Sequence, residues 1–169
     1  MIKFEKVTYD QYKKDTIGED FQYSLFSEDN KKEYDEIIMP RRSTRFSAGY
    51  DFFSPRDVSI QPGSACVIYT GIRAIMPGSL FLAIYPRSGL GVKHRTVLSN
   101  LVGIIDSDYR NADNEGHIIL KMVNDSDHPV HIRKGAAFAQ GIFQMYLLTD
   151  DDAAFGERTG GMGSTDKEA

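Results

Sequence analysis

Short apolar or alternating runs, separated by turn-forming residues, dominate the chain from residue 37 onward. The segments between them include QPGS, MPGS, NDSDHP and RKG, whose Gly, Pro, Asn and Asp residues favour turns. Several short strands with few helical patterns between them are typical of an all-β sandwich, barrel or jelly roll. The candidate strands are residues 58–60, 65–75, 80–85, 97–101, 118–123, 130–132 and 139–148.

The two ends of the chain differ from this central domain, residues 37–149. Residues 1–36 are rich in Lys, Asp, Glu and Tyr, with a short helix predicted over 7–14 and an exposed charged stretch over 28–36. This composition indicates a solvated amino-terminal extension. Residues 150–169 lose their apolar content and become Gly-rich, which predicts a flexible tail.

Composition narrows the class of protein. The chain has 169 residues, enough for one domain with a proper core, and a net charge of −4 that gives no generally basic surface for nucleic acid. No apolar run approaches the length of a membrane span, and the amino terminus has no signal-peptide core. The single cysteine, Cys66, excludes an intrachain disulfide and is read as a small buried hydrophobe. We therefore expect a cytoplasmic protein that binds neither membrane nor nucleic acid.

Three polar turns contain candidate chemistry, and each is weak by itself. SAGYD and YPRSG combine glycine with charged and hydroxyl side chains that can approach an anionic ligand. In GIIDSDYR, Asp106 and Asp108 stand at alternate positions and point to one side of an extended backbone. One of them could be a general base or face a metal, or both could lie in water at a turn. The four histidines show no zinc-ligand spacing.

The order and spacing of five segments resemble the ordered motifs of the trimeric dUTPase family. They are SAGYDFFSP, YPRSGLGVKH, VLSNLVGIIDSDYR, KGAAFAQGIF and a terminal RTGGMGST, and together they span roughly residues 37–165. The resemblance implies a jelly-roll-like β-barrel that forms a homotrimer whose active sites are shared between subunits. It also implies Mg²⁺-dependent hydrolysis of dUTP to dUMP and pyrophosphate, with a tail that closes over the site.

The resemblance assigns roles to the β-hairpin around residue 103. Asp106 matches the aspartate that activates the attacking water. Asn100 matches the asparagine that, with backbone groups at Gly103 and Ile105, recognises the uracil edge. Tyr109 matches the tyrosine whose ring packs under the deoxyribose and excludes a 2′-hydroxyl.

The remaining predicted contacts bind the phosphates and close the site. Asp51 matches the residue that reaches the water shell of a Mg²⁺ ion held mainly by the substrate phosphates. The other matched positions are Arg87, Ser88, Gly89 and Gln140 in the barrel and Arg158, Met162, Gly163, Ser164 and Thr165 in the tail.

The chain departs from the family pattern at four places, and one of them is the spacing from Arg158 to Gly160, which is one residue shorter than in the commonest form. Met162 replaces the aromatic residue that stacks on uracil, so weaker tail closure is expected. Ala137 replaces a basic residue three positions before Gln140. Residues 111–115 are an insertion after DYR, expected to extend a hairpin tip at the surface.

Three other interpretations stay open from the sequence. A dCTP deaminase of the same fold needs a glutamate in the strand that reads HIILKMV here, and the nearby Glu115 lies in the insertion. A dUTP-dependent interaction trimer could use residues 1–36 as its partner surface. A β-barrel with chance motif matches is the third interpretation.

Overall fold

The computed structural model describes residues 1–19, 27–156, 158 and 160. The strands are β1 Lys3–Lys6, β2 Tyr50–Phe53, β3 Val58–Ile60, β4 Ala65–Tyr69, β5 Ile72–Ile75, β6 Leu80–Pro86, β7 Thr96–Leu98, β8 Gly103–Asp106, β9 Ile119–Asn124, β10 Val130–Ile132 and β11 Ala137–Met145. The helices are α1 Tyr9–Glu19, α2 Ser27–Asp35, α3 Ser88–His94 and a short 3₁₀ helix, Ser107–Asn111.

The strands pair in four small antiparallel sheets that wrap around one core. A four-stranded sheet has the order β2-β11-β6-β8, and a three-stranded sheet has the order β4-β9-β7. Two further pairs, β1 with β5 and β10 with β3, complete the arrangement. This confirms the predicted all-β, jelly-roll-like barrel.

The core forms because inward positions of the central strands carry apolar side chains. Leu82 and Ile84 of β6 and Phe138 of β11 are completely buried, and each such side chain contributes about 1.5–3 kcal/mol by leaving water. Gly141 lets β11 pack closely, because a Cβ there would meet Leu82 Cδ1 at 2.9 Å. These contacts hold the four-stranded sheet, which carries most of the candidate site.

The predicted strand over residues 65–75 is two strands. Gly71 stands between β4 and β5 with φ +68°, a left-handed conformation that breaks the extended run. A Cβ at this position would meet Ile37 Cδ1 at 2.3 Å and Tyr12 Cδ2 at 3.3 Å. The chain can therefore turn here only because glycine leaves room for side chains from far away in sequence.

The expectation of a solvated amino-terminal extension is wrong. Strand β1 pairs with β5, and the ring of Phe4 packs against Phe52 and Phe143 at centroid distances of 5.5 and 5.4 Å. Val7 and Tyr12 belong to the same core cluster as the barrel residues. Apolar residues are sparse in this segment, but Phe4, Val7 and Tyr12 pack into or against the core of the barrel.

The two amino-terminal helices are fixed by polar contacts as well. The backbone N–H of Gln11 donates to the hydroxyl of Thr8 at 3.2 Å, which caps α1. Asn30 in α2 is buried and donates to the hydroxyl of Thr16 at 2.9 Å. The stretch predicted as exposed and charged therefore contributes a buried contact.

The insertion at residues 111–115 is not a hairpin tip, so that prediction is also wrong. It begins at Asn111, the last residue of the 3₁₀ helix, and Ala112 is buried. The carboxylate of Glu115 accepts hydrogen bonds from the backbone N–H and the hydroxyl of Thr8 at 2.8 and 2.6 Å. The insertion thus contacts the amino-terminal segment.

None of the helices in the described ranges is long and apolar enough to cross a membrane.

Candidate functional site

The turn between β7 and β8 presents the first group of predicted residues, and it is not the predicted β-hairpin, because β7 pairs with β9 and β8 pairs with β6. This turn is closed by a hydrogen bond from the Leu101 N–H to the Leu98 carbonyl at 2.9 Å, which leaves Asn100 exposed at the tip. Gly103 begins β8 opposite Ile84, and a Cβ there would meet the Ile84 Cβ at 3.2 Å. Glycine therefore allows β8 to approach β6 closely.

A cavity of about 580 Å³ lies beside the β7–β8 turn. Its size falls within the range of small-molecule sites. Five predicted residues line it, namely Asn100, Gly103, Ile105, Tyr109 and Arg158. Lys121 of β9 also lines the cavity and was not predicted, because a lone lysine on a strand is typical of an ordinary solvated face.

Tyr109 forms a fixed side of this cavity. Its side chain is buried, and its hydroxyl donates to the carbonyl of His117 at 3.1 Å and accepts from the Asn114 amide at 2.9 Å. Burial raises the pKa of Tyr109, so the phenol stays protonated at neutral pH. The ring can therefore act as a neutral, well-positioned packing surface.

Asp106 stands at the end of β8 with about half of its side chain exposed. Its Oδ2 forms an ion pair with Arg158 Nη1 at 2.7 Å. The guanidinium of Arg158 also lies over the ring of Tyr109, 5.0 Å from the centroid. Asp106 faces a second cavity of about 620 Å³, which Phe81 and Tyr146 also line.

A second group of predicted residues lies where β2, β11 and β6 run side by side. Gln140 stands opposite Asp51 on one side and Tyr85 on the other. Arg87 follows β6, and its Nη1 forms an ion pair with Asp51 Oδ1 at 2.5 Å. Ser88 and Gly89, the other predicted phosphate contacts, begin α3.

Two further residues shape this second group, and neither was predicted. The hydroxyl of Ser43 donates to Asp51 Oδ2, so both carboxylate oxygens of this buried residue have partners. Gly49 leaves space for Gln140, because a Cβ at Gly49 would meet Gln140 Oε1 at 2.5 Å. The SAGYD motif contains Gly49, but only the fold shows that its neighbour is Gln140.

Asp106 of the first group and Arg87 of the second lie at opposite ends of β6. Asp106 pairs with Phe81 near the start of the strand, whereas Arg87 follows its last residue, Pro86. At about 3.3 Å per residue, the backbone positions of residues 81 and 87 are roughly 20 Å apart. The predicted residues of one chain therefore do not converge on one point.

Some predicted residues cannot be placed. Met162, Gly163, Ser164 and Thr165 lie outside the described residues. In the described part of the chain, no group of three His, Cys, Asp or Glu residues could hold a metal ion. Asp51 is therefore not part of an all-protein metal cage there.

Comparisons with known proteins agree with the order of the motifs. The family model for dUTPase matches residues 35–164. The deoxyuridine 5′-triphosphate nucleotidohydrolase of Lactococcus lactis is 46% identical over 132 residues, which cover 76% of this chain and 88% of that protein.

Solved structures of dUTPases have a fold similar to that of this chain. The crystal structure of dUTPase from Streptococcus mutans has a TM-score of 0.67 at 32% identity and covers 88% of this chain and 98% of that one. A dUTPase from phage phi11 of S. aureus, whose structure concerns coordination of a structural Mg(II) ion, has a TM-score of 0.59 at 20% identity. It covers 72% of this chain and 92% of its own, and at that identity it supports the fold alone. The family match and the relatives together show that this chain belongs to the dUTPase family.

Proposed function

We propose that the protein hydrolyses dUTP to dUMP and pyrophosphate in active sites shared between the subunits of a homotrimer. The observation that carries the proposal is the cavity beside the β7–β8 turn. It combines an exposed amide at Asn100 with a fixed aromatic wall at Tyr109, and Arg158, which also lines it, forms an ion pair with the half-exposed carboxylate of Asp106.

The cavity supplies the means to select a deoxyuridine. Asn100 and the backbone groups of β8 at Gly103 and Ile105 recognise the donor and acceptor pattern of uracil. Cytosine reverses one donor and one acceptor, so it leaves buried polar groups without partners and binds poorly. The ring of Tyr109 packs under the sugar and leaves no space for a 2′-hydroxyl.

Asp106 acts as the general base. Its exposure lets a water molecule bind, and an ionised carboxylate can take a proton from that water as its oxygen attacks the α-phosphorus. The bond from the α-phosphorus to the oxygen that bridges to the β-phosphate breaks, and pyrophosphate leaves with that oxygen. Before substrate binds, Arg158 neutralises Asp106, and the triphosphate attracts Arg158 away and frees the base.

The phosphates are bound by the second group, supplied by another subunit. Arg87, Ser88, Gly89 and Gln140 contribute a guanidinium, a hydroxyl, a backbone N–H and an amide. The separation of roughly 20 Å along β6, with Arg87 directed to Asp51 and Asp106 to Arg158, supports a site that takes these two residues from different chains. The tail residues Arg158, Gly163, Ser164 and Thr165 close on the terminal phosphate, with Met162 over the uracil.

Mg²⁺ fits a site of this kind. The described residues offer no cage of carboxylates, and Mg²⁺ is typically held by substrate phosphates, waters and one or two carboxylates. Both oxygens of Asp51 already accept hydrogen bonds, from Arg87 and Ser43. Asp51 would therefore contact the water shell of the ion and not the ion itself. When bound, the ion supplies positive charge that offsets the charge developing on the phosphates.

Pyrophosphate release from a panel of dUTP, dCTP, UTP and dTTP tests the proposal. We expect release from dUTP with Mg²⁺ and a 10²–10⁴-fold loss of kcat, roughly the contribution of a general base, in Asp106→Asn. Lys14→Ala on the exposed face of α1 is the control and should keep full activity.

Two results would point to another function. Conversion of dCTP to dUTP would identify a deaminase, although β9 carries no acidic residue and the Glu115 carboxylate is bonded to Thr8. Binding of dUTP without release of pyrophosphate would identify an interaction module. Normal hydrolysis by Asp106→Asn would refute the assignment of the base.

A further inference from the structure

The amino-terminal segment reaches the wall of the cavity through a short chain of polar contacts. The Tyr109 hydroxyl is held from two sides, by the Asn114 amide and by the His117 carbonyl. Asn114 is held in turn, because its Oδ1 accepts from the Gly116 N–H at 3.1 Å. The orientation of the Tyr109 ring therefore depends on where residues 114–117 lie.

His117 is completely buried, and its ring is fixed through both nitrogens. Nε2 faces the backbone N–H of Gly71 at 2.8 Å, so this nitrogen must be the acceptor. The proton of the neutral imidazole is therefore on Nδ1, which donates to Asp15 Oδ2 at 2.6 Å. Asp15 belongs to α1, so a residue of the amino-terminal segment sets the orientation of this ring.

A second contact joins the same two regions. Glu115 accepts two hydrogen bonds from Thr8, the residue that caps α1. Residues 109–117 are thus attached to α1 at both Glu115 and His117. Neither Thr8 nor Asp15 lies within residues 35–164, the range that the family model matches.

We propose that Asp15, acting through His117, and Asn114 are positioning residues that orient Tyr109 for discrimination between deoxyribose and ribose. The proposal rests on the proposed function of Tyr109 as the wall beneath the sugar. None of the three residues needs to touch the nucleotide. Their effect is to hold the ring where a 2′-hydroxyl would collide with it.

The test is the ratio of kcat/KM for dUTP to kcat/KM for UTP in Asp15→Ala and Asn114→Ala. We expect each variant to lower the ratio by roughly tenfold, the size of effect expected from one buried hydrogen bond. A loss of folded protein lowers both rates equally and leaves the ratio unchanged. The ratio therefore separates positioning from stability.

Conservative and neighbouring variants complete the design. Asp15→Asn keeps an oxygen that can accept from His117 Nδ1–H, so it should restore most of the ratio. Lys14→Ala and Asp113→Ala change exposed neighbours of Asp15 and Asn114 and should leave the ratio at the wild-type value. A wild-type ratio in both Asp15→Ala and Asn114→Ala would overturn the proposal.

Failure of the proposed function gives a different result. Wild-type protein that releases no pyrophosphate from dUTP would refute hydrolysis. Discrimination between deoxyribose and ribose would then be measured as the ratio of the dissociation constants of UTP and dUTP, determined by calorimetry. Wild-type protein that binds neither nucleotide would overturn both proposals.

Discussion

Complementation between two inactive variants gives the sharpest test of a site shared between subunits. Asp106→Asn removes the base at the end of β8, opposite Phe81 near the start of β6, and Arg87→Ala removes a phosphate contact just after the end of β6. The backbone positions are roughly 20 Å apart, and in the proposed trimer each working site takes Asp106 from one chain and Arg87 from another. A trimer that contains both variants then has one site with both residues intact.

The magnitude follows from random assembly. When equal amounts of the two chains are co-expressed, about three quarters of the trimers contain both variants, and one third of the sites in each are intact. The expected rate of pyrophosphate release is about a quarter of the wild-type rate, while each variant alone stays near background. A mixture no more active than its separate components would refute the shared site and place Asp106 and Arg87 on the same substrate within one chain.

Two further predictions concern the described fold. Tyr12→Ala should lower the free energy of unfolding by about 3–5 kcal/mol, because this ring is completely buried, whereas Lys14→Ala should change it by less than about 0.5 kcal/mol. Urea unfolding at one protein concentration measures both changes. Equal small effects of the two substitutions would mean that α1 does not pack as described. Burial raises the pKa of Cys66 to about 11, so only about one thiol in a thousand is ionised at pH 8 and alkylation by iodoacetamide should be slow, rising about tenfold per pH unit up to pH 10. Because the unfolded thiol ionises nearer pH 9 and the folded one does not, Cys66 should also lower the free energy of unfolding as the pH rises from 9 to 11. Fast alkylation of the folded protein at pH 8 would contradict the burial that raises this pKa.

Patterns within a few neighbouring residues predicted eight of the eleven strands in the described residues and missed β1, β2 and β8. The apolar run of β10, Val130–Ile132, was predicted with its observed bounds, and the runs of β6, β9 and β11 were placed to within three residues. The break between β4 and β5 was missed because it depends on Ile37 and Tyr12, which occupy the space beside Gly71. Alternation along one strand carries no information about such distant contacts.

The amino-terminal segment was misjudged for a related reason. Its apolar residues are too few to form a continuous stripe, so their periodicity predicts an exposed helix. Phe4, Val7 and Tyr12 are nevertheless buried or packed against the core, since the barrel provides the apolar surface that the segment itself lacks. A segment can therefore belong to a core without an amphipathic pattern strong enough to predict it.

The candidate site shows the same division between local and distant information. The motif around Asp106 predicted Asn100, Gly103, Ile105 and Tyr109 together, because residues of one short segment are close in both sequence and space. The contact that fixes His117 comes from a residue 102 positions away in the chain. A motif records which residues face a ligand, but it does not record what holds them in place. Family members that share residues 97–110 and differ in the amino-terminal segment are therefore expected to bind the same base and to discriminate against ribose to different degrees.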